Sequence, residues 1–165
     1  MKFVPEDLID KVIEELEKYS DTQYEKQMEA FSEAQPVIFA WLFGEQFDLL
    51  TEDEKGYLQY LSLITWSANE RLNGPIEPVS EDQIGDAEEK NYEVLELSHA
   101  KNFRDRLNPF FENSTQEDLL AFAEEAVLEE EEEDPDVVTP AGREPVFLAL
   151  KTLIDVLTRN EGVED

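Results

Sequence analysis

Apolar residues recur along this chain at three- and four-residue intervals, the spacing of one face of an α-helix. Leu8, Ile9, Val12, Ile13 and Leu16 make the first stripe. Pro5 is placed to open that helix, and Glu6 and Asp7 follow it where carboxylates suit the helix dipole. Ser20 with Gln23 predicts a capping box for a second helix, whose inner face carries Tyr24, Met28 and Phe31. Pro36 then introduces Val37-Ile38-Phe39-Ala40-Trp41-Leu42-Phe43, which is apolar all round. A helix of that kind is expected to be covered on several sides. Thr51 with Glu54 predicts another capping box and the longest helix, which Asn73-Gly74-Pro75 ends. Its main stripe is Tyr57, Leu58, Leu61, Ile64, Ala68 and Leu72, widened by Tyr60, Leu63 and Trp66. The buried centre is therefore expected in the segment from Pro36 to Leu50 and in the long helix from Thr51 to Asn73, with Trp41 and Phe43 as core residues.

Ser80 and Gln83 mark a further start. Ile84, Ala87, Tyr92, Leu95 and Phe103 follow at helical intervals. Gly85 is expected to set a short turn apart from the main helix, and Asn108-Pro109 to stop the segment. Ser114 and Glu117 predict a capping box for the stripe Leu119, Leu120, Phe122, Ala123, Ala126 and Val127. An acidic, proline-rich linker is expected at about 129–145. The last helix carries Val146, Phe147, Leu150, Leu153, Ile154 and Leu157 on one side. No repeat of fixed period and no strand-like alternation interrupts the pattern. The expected fold is all-α: one domain over residues 1–165, a compact bundle of about six to eight helices.

Charge changes the picture more than length does. The 165 residues carry 42 Asp+Glu against 13 Lys+Arg, for a formal net charge of -29. A folded chain of this length exposes on the order of 8,400 Å². Evenly spread, the charges would stand about 17 Å apart, beyond the screening length of about 8 Å at physiological salt. Dispersed acidity of that density confers solubility and little else. Only local clusters carry unusual electrostatics. A general nucleic-acid binder is excluded, because the phosphate backbone would be repelled. The absence of cysteine removes disulfides, thiolate metal sites and a cysteine nucleophile. No apolar run approaches the ~20 residues of a membrane span, and the N-terminus lacks the pattern of a secretory signal, so the expected compartment is the cytoplasm.

Four local features carry candidate chemistry. The first is Glu129-Glu130-Glu131-Glu132-Glu133-Asp134, six successive carboxylates at a helix C-terminus, the unfavourable end for anions. It reads as a solvated, frayed end or as a docking surface for a basic partner. The second is Glu96 and His99, three apart, the spacing that carboxylate-bridged di-metal bundles use. Those bundles need two such pairs, and this chain has one histidine. The third is a basic island, Lys101, Arg104 and Arg106, placed either to clamp an anionic group or to pair with carboxylates of the same chain. The fourth is the aromatic run from Phe39 to Trp66, which reads as core before it reads as a dimer seam or pocket. Ser62, Thr65, Ser67 and Asn69 stand between those aromatics, on the lining of such a pocket or on its solvent side.

No phosphate-binding glycine loop, Gly-x-Ser-x-Gly elbow or His-Glu-x-x-His motif is present. No cofactor is implied. The expected function is non-enzymatic: an interaction module, or an inhibitor, that presents an acidic face to a basic protein. That reading needs the carboxylates to gather in space. The alternative is a bundle with a small-molecule or carboxylate/histidine metal site. Monomer and homodimer both remain open.

Overall fold

Three of the four capping boxes form as their sequences require. The hydroxyls of Ser20, Thr51 and Ser80 accept the main-chain N–H three residues on, and the side chains of Gln23, Glu54 and Gln83 reach back to the cap. At the fourth, the Ser114 hydroxyl accepts from Gln116 N–H instead (2.8 Å), and the helix starts at Glu117. In this computed structural model, which describes residues 2–128 and 138–158, the chain folds into eight α-helices with no strand among the described residues. They are α1 (Glu6–Glu17), α2 (Asp21–Ala34), α3 (Pro36–Leu42), α4 (Glu52–Asn73), α5 (Glu81–Leu97), α6 (Phe103–Glu112), α7 (Glu117–Leu128) and α8 (Arg143–Leu157). Single 3₁₀ turns lie at Glu45–Phe47 and Pro140–Gly142. None of these helices is long and apolar enough to cross a membrane.

Several boundaries depart from the sequence pattern. Helix α5 runs through Gly85 without a break. It ends at Leu97, and Phe103 opens a separate helix, α6. Pro109 lies inside α6 rather than stopping it. Its missing N–H forfeits one bond in a ten-residue helix, and the Asn113 side chain donates to the Pro109 carbonyl at 3.0 Å. The predicted linker is shorter at its far end. Residues 129–137 lie outside the described part, Val138 is buried, and α8 begins at Arg143 with Pro145 in its first turn. The ring there meets no preceding helical carbonyl. The α4 helix ends at Gly74, whose φ of 81° is the left-handed conformation that glycine adopts without a Cβ penalty.

The core is built on α4 and α8, not on α3 and α4. Residues 61–69 of α4 are all buried, as expected for the central helix. Its partner is α8, which packs against α4, α5 and α7 and buries residues on every side, among them Phe147, Leu150 and Leu153 at 0% exposure. Helix α3 is only seven residues long and buries Ile38 and Leu42 alone. Trp41 is half-buried and Phe43 is 60% exposed, so neither is the core residue that the apolar run implied. Two helical turns offer too little length to be enclosed. Their aromatics cover one another instead, Phe39 on Phe43 at 5.1 Å and Trp41 on Phe47 at 5.2 Å between ring centroids. The four polar residues that stand between the aromatics of α4, Ser62, Thr65, Ser67 and Asn69, are buried rather than on a solvent side. Ser62, Thr65 and Asn69 are fully buried and donate to the carbonyls of Leu58, Leu61 and Thr65 in the preceding turn.

Three buried polar side chains fix the connections. Gln35 donates to the carbonyls of Ile76 (3.2 Å) and Glu77 (3.0 Å) and accepts from Val79 N–H (2.9 Å), which holds the loop between α4 and α5. Gln116 does the same for the N-terminal segment, accepting from Val4 N–H (3.0 Å) and donating to the Lys2 carbonyl (3.1 Å). Glu54 is 1% exposed and ties the start of α4 to the approach to α8. It accepts from Thr51 N–H (2.8 Å), Thr139 N–H (2.8 Å) and the Thr139 hydroxyl (2.9 Å). Gly142 lies directly beneath it, and a Cβ there would collide with the carboxylate. Burial pushes the Glu54 carboxyl up, but the hydrogen bonds from Thr51 and Thr139 outweigh it and hold the group below its usual range.

Two predictions follow from this packing. Phe147→Ala should cost roughly 3–5 kcal/mol and Phe43→Ala less than about 1 kcal/mol in urea unfolding, the reverse of what the apolar run suggests. Glu54→Gln should destabilise the protein by about 1–3 kcal/mol near neutral pH. The folded carboxyl titrates below its unfolded value. Its contribution is thus complete above the ordinary carboxylate range and is lost as pH falls through the folded value. The gap between wild type and variant should therefore narrow in unfolding curves taken at progressively lower pH, below the ordinary carboxylate range.

Candidate functional site

The sequence-predicted residues do not converge. The run from Glu129 to Asp134 lies outside the described residues. Helix α5 ends at Leu97, so His99 stands on the exposed connection to α6 and shares no helix face with Glu96. Among the described residues no group of three or more His, Asp or Glu side chains is placed to hold a metal ion. The basic island divides. Lys101 and Arg104 are exposed, whereas Arg106 turns inward. Its Nε donates to the Glu144 carboxylate at 3.0 Å, and its terminal nitrogens reach the carbonyls of Ser98 (3.4 Å) and Leu95 (3.5 Å). A cation is favoured at the C-terminal end of α5, where the Leu95 carbonyl also accepts from Ser98 N–H at 3.2 Å. Arg106 thus joins α5, α6 and α8.

Acidic side chains occur on every helix except α3. Among the described residues, one local feature combines such side chains with a concavity. Helices α1, α4 and α7 enclose a groove of about 350 Å³. Its floor is apolar: Ile9, Leu61 and Ile64 are at most 2% exposed, and Ile13 and Phe122 stand half-buried beside them. Its rim is anionic, with Glu6, Asp10 and Glu17 from α1 and Asp118 and Glu125 from α7. Among the described residues, no Lys, Arg or His lines it.

Each rim follows from helical spacing. Glu6, Asp10, Ile13 and Glu17 are four, three and four residues apart, so they share one side of α1 next to its apolar stripe. Asp118, Phe122 and Glu125 do the same on α7. One Asp118 oxygen accepts from Glu6 N–H at 2.9 Å, so this carboxylate also fixes the start of α1 against α7. From α4, Tyr57 donates to the Ala126 carbonyl at 3.3 Å. Tyr60 lies in the groove, and its hydroxyl pKa is raised by burial first and then by the negative charge of Glu17 and the neighbouring Tyr24. It remains a neutral hydrogen-bond donor at physiological pH.

Taken together, the groove offers an apolar floor, fixed carboxylate acceptors and one phenolic donor. It contains no nucleophile–base pair. Comparison with protein-family models, with curated proteins and with solved structures finds no match to this chain.

The division of the basic island has a measurable consequence. Arg106→Met should lower stability by about 1–2 kcal/mol in urea unfolding, because it removes the ion-pair partner of Glu144 and a donor to the carbonyls of Ser98 and Leu95. Lys101→Ala and Arg104→Ala, both on exposed side chains, should stay within about 0.5 kcal/mol of wild type.

Proposed function

We propose that this protein is a non-enzymatic interaction module that takes a basic, amphipathic segment of a partner protein into the groove between α1, α4 and α7. One observation carries the reading: among the described residues, a concavity with an apolar floor is lined by five carboxylates and by no cation. Like charges held around one groove repel one another, and a ligand bearing Lys or Arg relieves that repulsion. The floor adds what charge alone lacks. Apolar side chains of the ligand bury area there at roughly 25 cal/mol per Å². A ligand of alternating basic and apolar residues answers both features, and a polyanion answers neither.

The test uses a defined probe, a synthetic helical peptide of leucines and lysines in amphipathic order, followed by fluorescence anisotropy. Binding should weaken steeply as salt rises. The double variant Asp10→Lys/Glu125→Lys should weaken it by about tenfold or more at physiological salt. The same number of reversals on α2, Asp21→Lys/Glu25→Lys, should change it by less than about threefold. Equal losses from the two double variants would mean that net charge alone attracts the peptide, and the groove would lose its role.

A further inference from the structure

We propose that the partner segment is a helix of heptad pattern that lies antiparallel to α1 and α7, with apolar residues toward the groove and a cation every seven residues on each flank. This deepens the reading above and rests on the groove between α1, α4 and α7 as the docking site. Both rims carry carboxylates at one spacing. Asp10 and Glu17 stand seven positions apart on α1, and Asp118 and Glu125 stand seven apart on α7. Seven residues of helix rise about 10 Å. A second helix returns to the same face after the same interval, so one heptad of ligand matches one pair of rim carboxylates on either side.

Contacts fix the directions of the helices. Helices α1 and α7 start together: Gln116 accepts from Val4 N–H at 3.0 Å, and Asp118 accepts from Glu6 N–H at 2.9 Å. Their far ends meet one turn of α4. Tyr57 donates to the Ala126 carbonyl, and Tyr60 on the same turn feels the charge of Glu17. Helices α1 and α7 therefore run the same way along the groove. Helix α4 runs the opposite way beneath them, since the Asn73 side chain at its end accepts from Lys2 N–H at 3.1 Å, just ahead of α1. A ligand helix seated over the groove has α1 and α7 as its neighbours. Running against both makes every adjacent pair in the group of four antiparallel, the arrangement of an up-down-up-down bundle in which neighbouring macrodipoles oppose.

Size sets how the ligand sits. A groove of about 350 Å³ takes a few apolar side chains but not a helix backbone. The ligand backbone thus lies above the rims. Its apolar side chains descend onto Ile9, Ile13, Leu61, Ile64 and Phe122, and its flanking side chains meet the carboxylates. Cations on the outward face of the ligand stand a helix diameter of roughly 10 Å from those carboxylates, beyond the screening length of about 8 Å. The position of each charge on the ligand therefore sets affinity, and not the number of charges alone.

The experiment uses the full chain and two synthetic three-heptad peptides of identical composition, both with leucine at a and d. One carries lysine at e and g and glutamine at b and c, and the other exchanges the two sets. Fluorescence anisotropy at physiological salt should give the flank isomer an affinity about tenfold higher. A nitroxide at the N-terminus of that peptide should broaden the backbone amides of residues 14–18 and 124–128 in NMR spectra and leave 5–9 and 117–121 sharper. Equal affinities of the two isomers, both weakened in Asp10→Lys/Glu125→Lys, would overturn the heptad pattern and leave the groove its role. Affinities that the double variant leaves unchanged would overturn the groove and this inference with it. Broadening centred on residues 5–9 and 117–121, or equal at both ends, would overturn the antiparallel direction.

Discussion

The packing of α8 along α4 is the contact around which the other helices are arranged. Both helices are buried over most of their circumference, so both must be surrounded. Helix α1 covers α4, α5 covers α8, and α7 leans on α8 while touching α1. The groove is a by-product of that arrangement. Helix α1 meets α7 beside the central pair, and the groove along that seam is floored by the turn of α4 that carries Leu61 and Ile64.

A core formed by two apolar helices far apart in sequence specifies register poorly by hydrophobicity alone, because burial is non-directional. Buried polar groups supply the direction. Glu54 lets α4 start only where Thr139 can meet it, which positions α8. On the other side of α8, the Asn91 amide donates to Thr152 (3.2 Å) and to Asp155 (3.1 Å), which fixes α5 along it. Lys151 bonds Asp155 at one end of that network and lies over the Phe110 ring at 5.9 Å, drawing in α6. The scarce cations of this acidic chain are thus partly consumed in joining helices.

Local signals in the sequence identified the helices well, and non-local ones were silent. Capping boxes at Ser20, Thr51 and Ser80 involve side chains three residues apart, so their outcome does not depend on the rest of the fold. Gly85 and Pro109 misled because helix context overrides single-residue propensity when neighbouring turns are packed. Exchanging α3 for α8 as the second core helix has a different cause. Apolar density was read without regard to length, and a seven-residue helix cannot be enclosed as a fifteen-residue one can. The groove could be half read: the spacing of Glu6, Asp10 and Glu17 along α1 is visible in the chain. That Asp118 and Glu125 face them across α4 is not, because nothing local brings residues more than a hundred positions apart together.

A local site on a small protein is compatible with a large net charge because screening limits the range of each charge. Such a site sets its own potential from the side chains within about 8 Å that line it. The net value governs solubility and the fate of long polyanions, whereas a compact ligand meets only its immediate walls. Acidity spread over seven helices cannot choose a partner, since it offers the same attraction everywhere. Choice arises where the backbone makes a concavity, removes the opposite charge from its lining and places apolar surface at its base. In this bundle α1 and α7, meeting over α4, create that combination.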